Sequence, residues 1–100
     1  MGAEVVITSQ AQHDLSEIIH YLAPKNPFAA EKLSDQLLDT ALALGKAPLV
    51  GCRIQGRPDV RMTVQGKYLI FYQVEASAKR LLILRFWHSA RDLGKLQLNL

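Results

Sequence analysis

An uninterrupted apolar run near the C-terminus, Leu81 to Leu84, most constrains what this chain can fold into. A short apolar run of this length is typical of a buried strand. The run passes directly into residues 85–92, Arg-Phe-Trp-His-Ser-Ala-Arg-Asp. The end of this strand is therefore predicted to bring two arginines and a histidine to one place.

Charge is distributed unevenly along the chain. Residues 1–50 contain three Lys+Arg and six Asp+Glu, whereas residues 51–100 contain nine and three, so the two halves carry −3 and +6. The C-terminal half is expected to face something anionic. The alternative for any single arginine is that it only solvates a sheet face.

Length and composition indicate one globular domain over residues 1–100, since 49% hydrophobic and 21% charged residues are ordinary values for a folded protein. The single Cys52 excludes an intramolecular disulfide, and the absence of Cys/His ligand spacing argues against a zinc site. We expect neither a metal nor a cofactor. With a single cysteine, a reducing cytoplasm is the expected location. No stretch approaches the roughly 18 apolar residues of a membrane span.

The N-terminal third predicts a strand followed by a helix. Glu4–Thr8 is rich in β-branched residues, and Ser9 with Gln12 has the form of a capping box. The helix is expected to end near Pro24. Its predicted apolar stripe consists of Ala11, Leu15, Ile18, Ile19 and Leu22. The polar residues are assigned mostly to the other faces, namely His13, Asp14, Glu17 and His20.

A second helix is predicted to begin at Asn26-Pro27 and to end at Gly45. Its apolar positions are Ala30, Leu33, Leu37, Ala41 and Leu44. Because the connection to the first helix is so short, the two helices should form an antiparallel hairpin.

The pattern changes to a period of two after the turn at Pro48 and Gly51. Three strands are predicted from about Val60, from Tyr68 and from Arg80, with short connections that imply an antiparallel meander. The expected fold class is α+β, with the N-terminal strand and the helical hairpin packed on an antiparallel sheet. The tail Leu93–Leu100 is either a short helix or an added strand.

This order of elements, together with particular residues, resembles the RelE/ParE superfamily of toxins from type II toxin–antitoxin systems. The resemblance extends over nearly the whole chain. The matching residues are Ala11, Asp14, Leu15, Tyr21, Pro27, Ala30, Pro48, Gly51, Arg61, the run Tyr68–Tyr72 and the closing run His88–Asp92.

The resemblance implies one of two activities. ParE-like members bind DNA gyrase and block it without recognised catalytic residues, whereas RelE-like members cut mRNA on the ribosome. The closing run His88–Asp92 is similar to the ParE type. Departures from the RelE type agree with this, because no lysine cluster precedes Arg61 and no tyrosine follows Arg91. The resemblance also implies a cognate antitoxin as partner, in a hetero-oligomer.

The alternative reading is a metal-independent, ribosome-dependent mRNA endonuclease. Such cleavage needs a proton carrier and fixed positive charge around the phosphate. His88 would carry the proton, Arg61 and Arg85 would hold the scissile phosphate, and Arg91 would clamp a neighbouring one. Strand alternation opposes this arrangement, because it sends Arg85 and His88 to opposite faces unless the strand ends or bulges between them.

Structural roles are the competing interpretation of the same residues. The ring of His88 is expected to bond a backbone carbonyl or Asp92 and so fix the turn, while Arg91 and Asp92 form a local ion pair. Trp87 belongs to the core or to a partner interface. A third interpretation is a surface that binds an acidic antitoxin segment or an anionic target. Its candidate residues are Arg53, Arg57, Arg61, Arg85, Trp87 and Arg91.

Two further possibilities remain open from the sequence. The chain could have lost toxicity and serve only in an autoregulatory complex, or it could be a plain nucleic-acid-binding module. The latter is disfavoured because the basic residues lack the aromatic interleaving of a single-strand binding platform.

Overall fold

The structure, a computed structural model, describes residues 2–98 of the chain. Two helices and five strands follow the order β1 (Glu4–Ile7), α1 (Ser9–Leu22), α2 (Pro27–Ala43), β2 (Cys52–Ile54), β3 (Arg57–Gln65), β4 (Tyr68–Glu75) and β5 (Arg80–His88). Short 3₁₀ turns lie at Ala76–Ala78 and Leu93–Lys95. The predicted order of strand, helical hairpin and meander is confirmed. The three-residue β2 is an addition that the sequence did not predict.

The five strands form one mixed sheet in the order β1-β5-β4-β3-β2. β3, β4 and β5 make the predicted antiparallel meander, and β2 extends it by one antiparallel strand. β1 lies parallel to β5, with Glu4 opposite Arg80 and Ile7 opposite Ile83. Parallel neighbours need a long crossover, and here the two helices and the whole meander supply it. The buried run at Leu81–Leu84 therefore lies in an interior strand, as its composition predicts.

The first helix begins one residue earlier than the capping box predicts. The hydroxyl of Thr8, rather than Ser9, accepts the hydrogen bond from the backbone N–H of Ala11 at 3.3 Å. The same hydroxyl donates to the carbonyl of Ile83 at 2.7 Å. Gln12 donates to the carbonyl of Ile7 at 2.9 Å instead of reaching back to Ser9. Thr8 is thus the junction at which β1 passes directly into α1 while remaining bonded to β5.

The second helix begins as predicted, because the Asn26 side chain accepts from the backbone N–H of Ala29 at 3.0 Å and Pro27 takes the first helical position. After its last residue the chain passes close to β1. The N–H of Ala3 donates to the carbonyl of Gly45 at 2.7 Å. A Cβ atom at Gly45 would lie 2.7 Å from the carbonyl oxygen of Ala3, so only glycine allows this approach.

Two apolar clusters cover the two faces of the sheet. The inner cluster lies between the helices and the sheet and contains Ala11, Leu15, Leu37, Ala41, Leu44, Ile70, Tyr72, Leu81, Ile83 and Phe86. The outer cluster contains Val60, Leu69, Phe71, Leu82, Leu84 and Trp87. Leu96 and Leu98 pack against the outer cluster.

The tail is therefore a 3₁₀ turn followed by extended chain that partly covers the outer face of the sheet. Leu100, which the sequence analysis placed in this tail, lies outside the described residues. Within residues 2–98, neither helix is long and apolar enough to cross a membrane.

Side chains of the meander fix the connection between α2 and β2. The hydroxyl of the fully buried Tyr72 accepts the backbone N–H of Gly51 at 2.9 Å. The guanidinium of Arg61 donates to the carbonyls of Leu49 and Gly51 at 3.2 and 2.8 Å. A Cβ atom at Gly51 would lie 2.7 Å from the carbonyl oxygen of Met62. Tyr72 is therefore a core residue whose hydroxyl holds a backbone turn.

Replacing Tyr72 with Phe tests this anchor. The substitution keeps the ring but leaves the buried N–H of Gly51 without its acceptor, so we expect a loss of about 1–3 kcal/mol in unfolding free energy. Urea denaturation followed by far-UV circular dichroism measures it. Tyr68→Phe, on the same face of β4, is the matched control and should cost clearly less. Equal losses in the two variants would contradict the anchoring role.

Candidate functional site

The end of β5 does not present its charged residues on one face. A bulge at Leu84 shifts the pairing with β4, so that Phe71 lies opposite Arg85 and Tyr72 opposite Ile83. The bulge precedes Arg85 and therefore does not bring it onto the face of His88. The separation that strand alternation predicts for these two residues is confirmed.

Arg85 is buried and bound to a carboxylate of α1. Its Nε lies 2.6 Å from Asp14 Oδ2 and its Nη2 lies 3.0 Å from Asp14 Oδ1, a bidentate geometry. Residue exposure is 8% for Arg85 and 5% for Asp14. The remaining Nη1 donates to the carbonyl of Gln97 at 3.0 Å. Arg85 is therefore not part of the exposed basic surface to which the sequence analysis assigned it.

Asp14 lies in a different environment from the one predicted. It was assigned to a polar face of α1, but its carboxylate accepts hydrogen bonds from the backbone N–H of Phe86 at 3.2 Å and from the Gln10 amide at 3.3 Å, besides Arg85. Helical spacing does indicate a position on the apolar face for Asp14, because this residue is three residues after Ala11 and four before Ile18. It lies within the apolar stripe, where a lone carboxylate needs a partner.

Arg61 lies far from His88 in the sheet. The register places Arg61 opposite Tyr72 and His88 opposite Tyr68. Four residues along β4 correspond to about 13 Å. Arg61 is also bound to the backbone carbonyls before β2. The three residues of the alternative catalytic reading, Arg61, Arg85 and His88, are thus not brought together in this structure.

His88 holds the turn that follows β5, although with a different partner from the one predicted. Its Nδ1 accepts the backbone N–H of Ala90 at 3.0 Å, rather than bonding a carbonyl or Asp92. The ring packs edge-to-face on Tyr68, with centroids 5.0 Å apart. Asp92 instead accepts the N–H of Gly94 at 2.8 Å and begins the 3₁₀ turn.

Trp87 is 1% exposed and lies in the outer cluster, as the core interpretation predicts. The guanidinium carbons of Arg91 and Arg85 lie 4.0 and 5.0 Å from the centre of its ring. Its indole N–H donates to the carbonyl of Arg91 at 3.3 Å. Arg91 therefore stacks on Trp87, in place of the local ion pair predicted with Asp92. The buried indole, like Arg85, adds no free surface to the predicted binding region.

A cleft of about 390 Å³ lies between α1 and the end of β5. Its lining combines aromatic and charged groups: Asp14, Glu17, Ile18, Tyr21, Tyr68, Phe86, His88 and Arg91. Of the residues considered for RNA cleavage, only His88 and Arg91 reach it. Glu17 and Tyr21 were not predicted to line a cleft, because a cleft between a helix and a strand leaves no local pattern in the sequence. Among residues 2–98, no group of three His, Cys, Asp or Glu side chains is placed to hold a metal ion.

The remaining basic residues of the predicted surface lie on the β2–β3 hairpin. Arg53 is exposed and lies directly opposite Arg61. Arg57 is paired with Asp59, with Nε 3.5 Å from Oδ1. The binding role of these arginines stays a prediction.

Comparison with known proteins identifies the family. The family model described as the ParE toxin of the type II toxin–antitoxin system, parDE, matches residues 5–93. The chain belongs to this family. The match begins in β1 and ends at Leu93, so it includes α1 with Asp14 and β5 with Arg85 and His88. A search of curated proteins gives no significant match.

Solved toxin structures share the fold of this ParE-family toxin. The chromosomal ParDE system of P. aeruginosa has a chain that aligns with a TM-score of 0.72 at 23% identity, covering 86% of this chain and 95% of that one. The toxin–antitoxin complex RelBE2 of Mycobacterium tuberculosis gives 0.68 at 23% identity, covering 88% and 99%. A free arginine-to-alanine double mutant of the E. coli toxin RelE gives 0.68 at 13% identity, covering 90% and 86%. The predicted RelE/ParE fold is confirmed.

A double-mutant cycle tests the ion pair of Asp14 and Arg85. Removing either partner leaves an uncompensated buried charge, so Asp14→Ala and Arg85→Ala should each cost about 3–5 kcal/mol of stability. The double variant should cost less than the sum, with a coupling of about 1–3 kcal/mol in urea denaturation. Glu17→Ala, which breaks an exposed contact of 2.6 Å with His13, is the control and should cost at most about 1 kcal/mol. Additive losses for Asp14 and Arg85 would contradict the pair.

The three tyrosines should titrate in two groups. The Lys25 ammonium, 3.7 Å from the ring centre of Tyr21, lowers the pKa of that phenol through hydrogen bonding and charge. Burial raises the pKa of Tyr68 and that of Tyr72. Because these two values are raised on folding, the stability they contribute is present below pH ~10 and is lost as the pH rises through their folded values.

Absorbance titration of tyrosinate measures this order. One phenol should ionise before the other two, and Lys25→Gln should move that first step upward while Lys32→Gln leaves it in place. Alkaline unfolding should accompany the later steps. Simultaneous ionisation of all three tyrosines in the folded protein would show that the placement is wrong.

Proposed function

We propose that this ParE-family toxin acts in the cytoplasm by binding DNA gyrase through protein contacts, and that a cognate antitoxin neutralises it in a hetero-oligomeric complex. The observation that carries the proposal is the placement of the side chains that RNA cleavage would require. Arg85 is committed to Asp14, and Arg61 is bound to backbone carbonyls before β2.

Metal-independent cleavage of RNA requires a base, an acid and positive charge within hydrogen-bond reach of one phosphate. In this toxin Arg61 and His88 lie in register positions about 13 Å apart along β4. The charge of Arg85 is already balanced by a carboxylate. A RelE-like reaction would require these side chains to move together around one phosphate of the substrate. Inhibition by protein contact needs no catalytic group.

The fold itself is common to both branches, since its structural relatives include a ParDE toxin and two Rel-type toxins. Support for the ParE-like branch comes from the family model over residues 5–93 and from the dispersed arginines. Support for an antitoxin partner comes from the structural relatives, two of which are described as a toxin–antitoxin system or complex.

Two parallel assays on the purified chain test the target. We expect it to inhibit supercoiling of relaxed plasmid by gyrase and to leave mRNA intact on translating ribosomes. His88→Gln should change gyrase inhibition by no more than about two-fold, because its imidazole is occupied with the turn after β5. Gyrase inhibition by Arg61→Ala is compared with that by the unmodified toxin after the folding of the variant has been checked by circular dichroism.

Codon-phased mRNA cuts that disappear in His88→Gln would overturn the proposal in favour of the RelE-like endonuclease. Absence of both activities would also overturn it and would favour a chain that serves only in an autoregulatory complex. Deletion of Leu93–Leu100 should weaken gyrase inhibition more than His88→Gln does. Since Leu96 and Leu98 cover the outer cluster, the truncated chain is assayed only at temperatures where it remains folded.

A further inference from the structure

The turn that follows β5 is held by a hydrogen bond to an imidazole. The N–H of Arg91 donates to the carbonyl of His88 at 2.9 Å and closes the turn over residues 88–91. Within this turn, Nδ1 of His88 accepts the N–H of Ala90 at 3.0 Å. A backbone N–H only donates, so Nδ1 provides a lone pair and the neutral ring carries its proton on Nε2. This hydrogen bond therefore exists only while His88 is neutral.

The 88–91 turn determines where Arg91 and the tail lie. The carbonyl of Arg91 accepts the indole N–H of Trp87 at 3.3 Å, and the Arg91 guanidinium carbon lies 4.0 Å from the centre of that ring. Farther along the tail, Leu96 and Leu98 pack against the outer cluster. A change in the turn is therefore transmitted to the indole and to the segment that covers the outer face of the sheet.

We propose that the 88–91 turn is a pH-sensitive latch that opens when His88 gains a proton. Both nitrogens of an imidazolium are donors. The Nδ1 atom and the N atom of Ala90 are then two donors 3.0 Å apart, so the hydrogen bond is lost and the two N–H dipoles repel each other. Opening of the turn withdraws the carbonyl of Arg91 from the indole of Trp87 and loosens the tail above the outer cluster.

The groups around the ring favour its movement out of the turn once it is charged. The titratable and charged side chains that line the same cleft are Asp14, Glu17 and Tyr21 of α1, Tyr68 of β4, and Arg91. The carboxylate of Asp14 is already balanced by Arg85. Glu17 on the α1 side attracts an imidazolium, whereas Arg91 on the turn side repels it. Both effects move the charged ring away from Ala90 and toward α1.

The other charged residues next to the turn are bound in ways that protonation of the ring does not alter. Asp92 accepts the N–H of Gly94 at 2.8 Å. Lys67 is joined to the turn by its backbone carbonyl, which accepts the N–H of Ser89 at 2.8 Å. The start of the turn therefore stays attached to β4, and opening is confined to Ala90 and Arg91.

NMR of the ¹⁵N-labelled full chain tests the resting state of the latch. The ¹⁵N shifts of the His88 ring at about pH 8, where histidine is ordinarily neutral, should show the proton on Nε2 and a lone pair on Nδ1. A ring with its proton on Nδ1 would overturn the proposal, because this tautomer cannot accept the N–H of Ala90.

Hydrogen exchange of the Trp87 indole N–H tests the opening. Its protection factor, which corrects for the intrinsic effect of pH on exchange, is compared at about pH 8 and about pH 5, a range in which histidine changes charge. We expect protection to fall roughly three-fold to ten-fold on acidification, the factor that corresponds to the loss of one hydrogen bond. Circular dichroism at both pH values confirms that the chain remains folded.

Two variants of His88 separate the titration from a purely structural role of the ring. His88→Asn supplies a side-chain oxygen that accepts the N–H two residues later and does not titrate in this range, so its indole should stay protected at both pH values. His88→Phe keeps a ring against Tyr68 but has no acceptor, so its indole should be weakly protected at both. His13→Gln, which changes a histidine of α1, is the matched control and should retain the full pH response.

A pH-independent protection factor in the unmodified toxin would overturn the proposal. An undiminished pH response in His88→Asn would also overturn it and would assign the response to the carboxylates of the cleft. Loss of the response in His13→Gln would overturn it in favour of α1. If His88→Phe does not fold, the comparison of His88→Asn with the unmodified toxin still decides, and neither measurement depends on gyrase.

Discussion

The buried ion pair between Asp14 and Arg85 is the interaction on which the rest of the structure depends. It joins α1 to β5 and, through the carbonyl of Gln97, to the tail. Removing two charges from water costs several kcal/mol per ion, and a buried pair repays this only when its hydrogen bonds are well satisfied. Here the carboxylate accepts from Arg85, from the Phe86 backbone and from Gln10. The same carboxylate closes the edge of β5 beyond the end of β1, so one side chain both holds the layers together and terminates the sheet.

Local sequence patterns predicted the helices and strands that are determined by residues close together in the sequence. The period of two in β3 and β4, the buried run in β5 and the Asn26-Pro27 start of α2 are set by nearby residues, and they agree with the structure. The features that were not predicted depend on contacts between residues that are far apart in the sequence. β2 is only three residues long and exists because β3 pairs with it. Thr8 replaces Ser9 as the helix cap because its hydroxyl is also bonded to the carbonyl of Ile83, 75 residues away.

The same difference between local and distant contacts explains which features of the candidate site could be predicted. Residues 85–92 are adjacent in sequence, but alternation and the bulge at Leu84 send Arg85 to the edge and His88 to the helical side, while Arg91 folds back over Trp87. Helical spacing already indicated that Asp14 belonged to the apolar stripe. No local pattern could indicate that the carboxylate would meet an arginine 71 residues later. Nor could the sequence reveal the cleft that Glu17 and Tyr21 form with His88.

Internal ion pairs offset part of the excess positive charge of the C-terminal half. Within the basic C-terminal half, Arg85 is balanced by Asp14, Arg80 by Glu75, and Arg57 in part by Asp59. Arg53 and Arg61 lie opposite each other at the far side of the sheet, where Arg61 also holds the turn at Gly51. A repulsive pair at an open edge costs stability in the free chain. Arg61 offsets part of that cost through its hydrogen bonds to the carbonyls of Leu49 and Gly51, so the guanidinium that repels Arg53 also fixes the connection before β2.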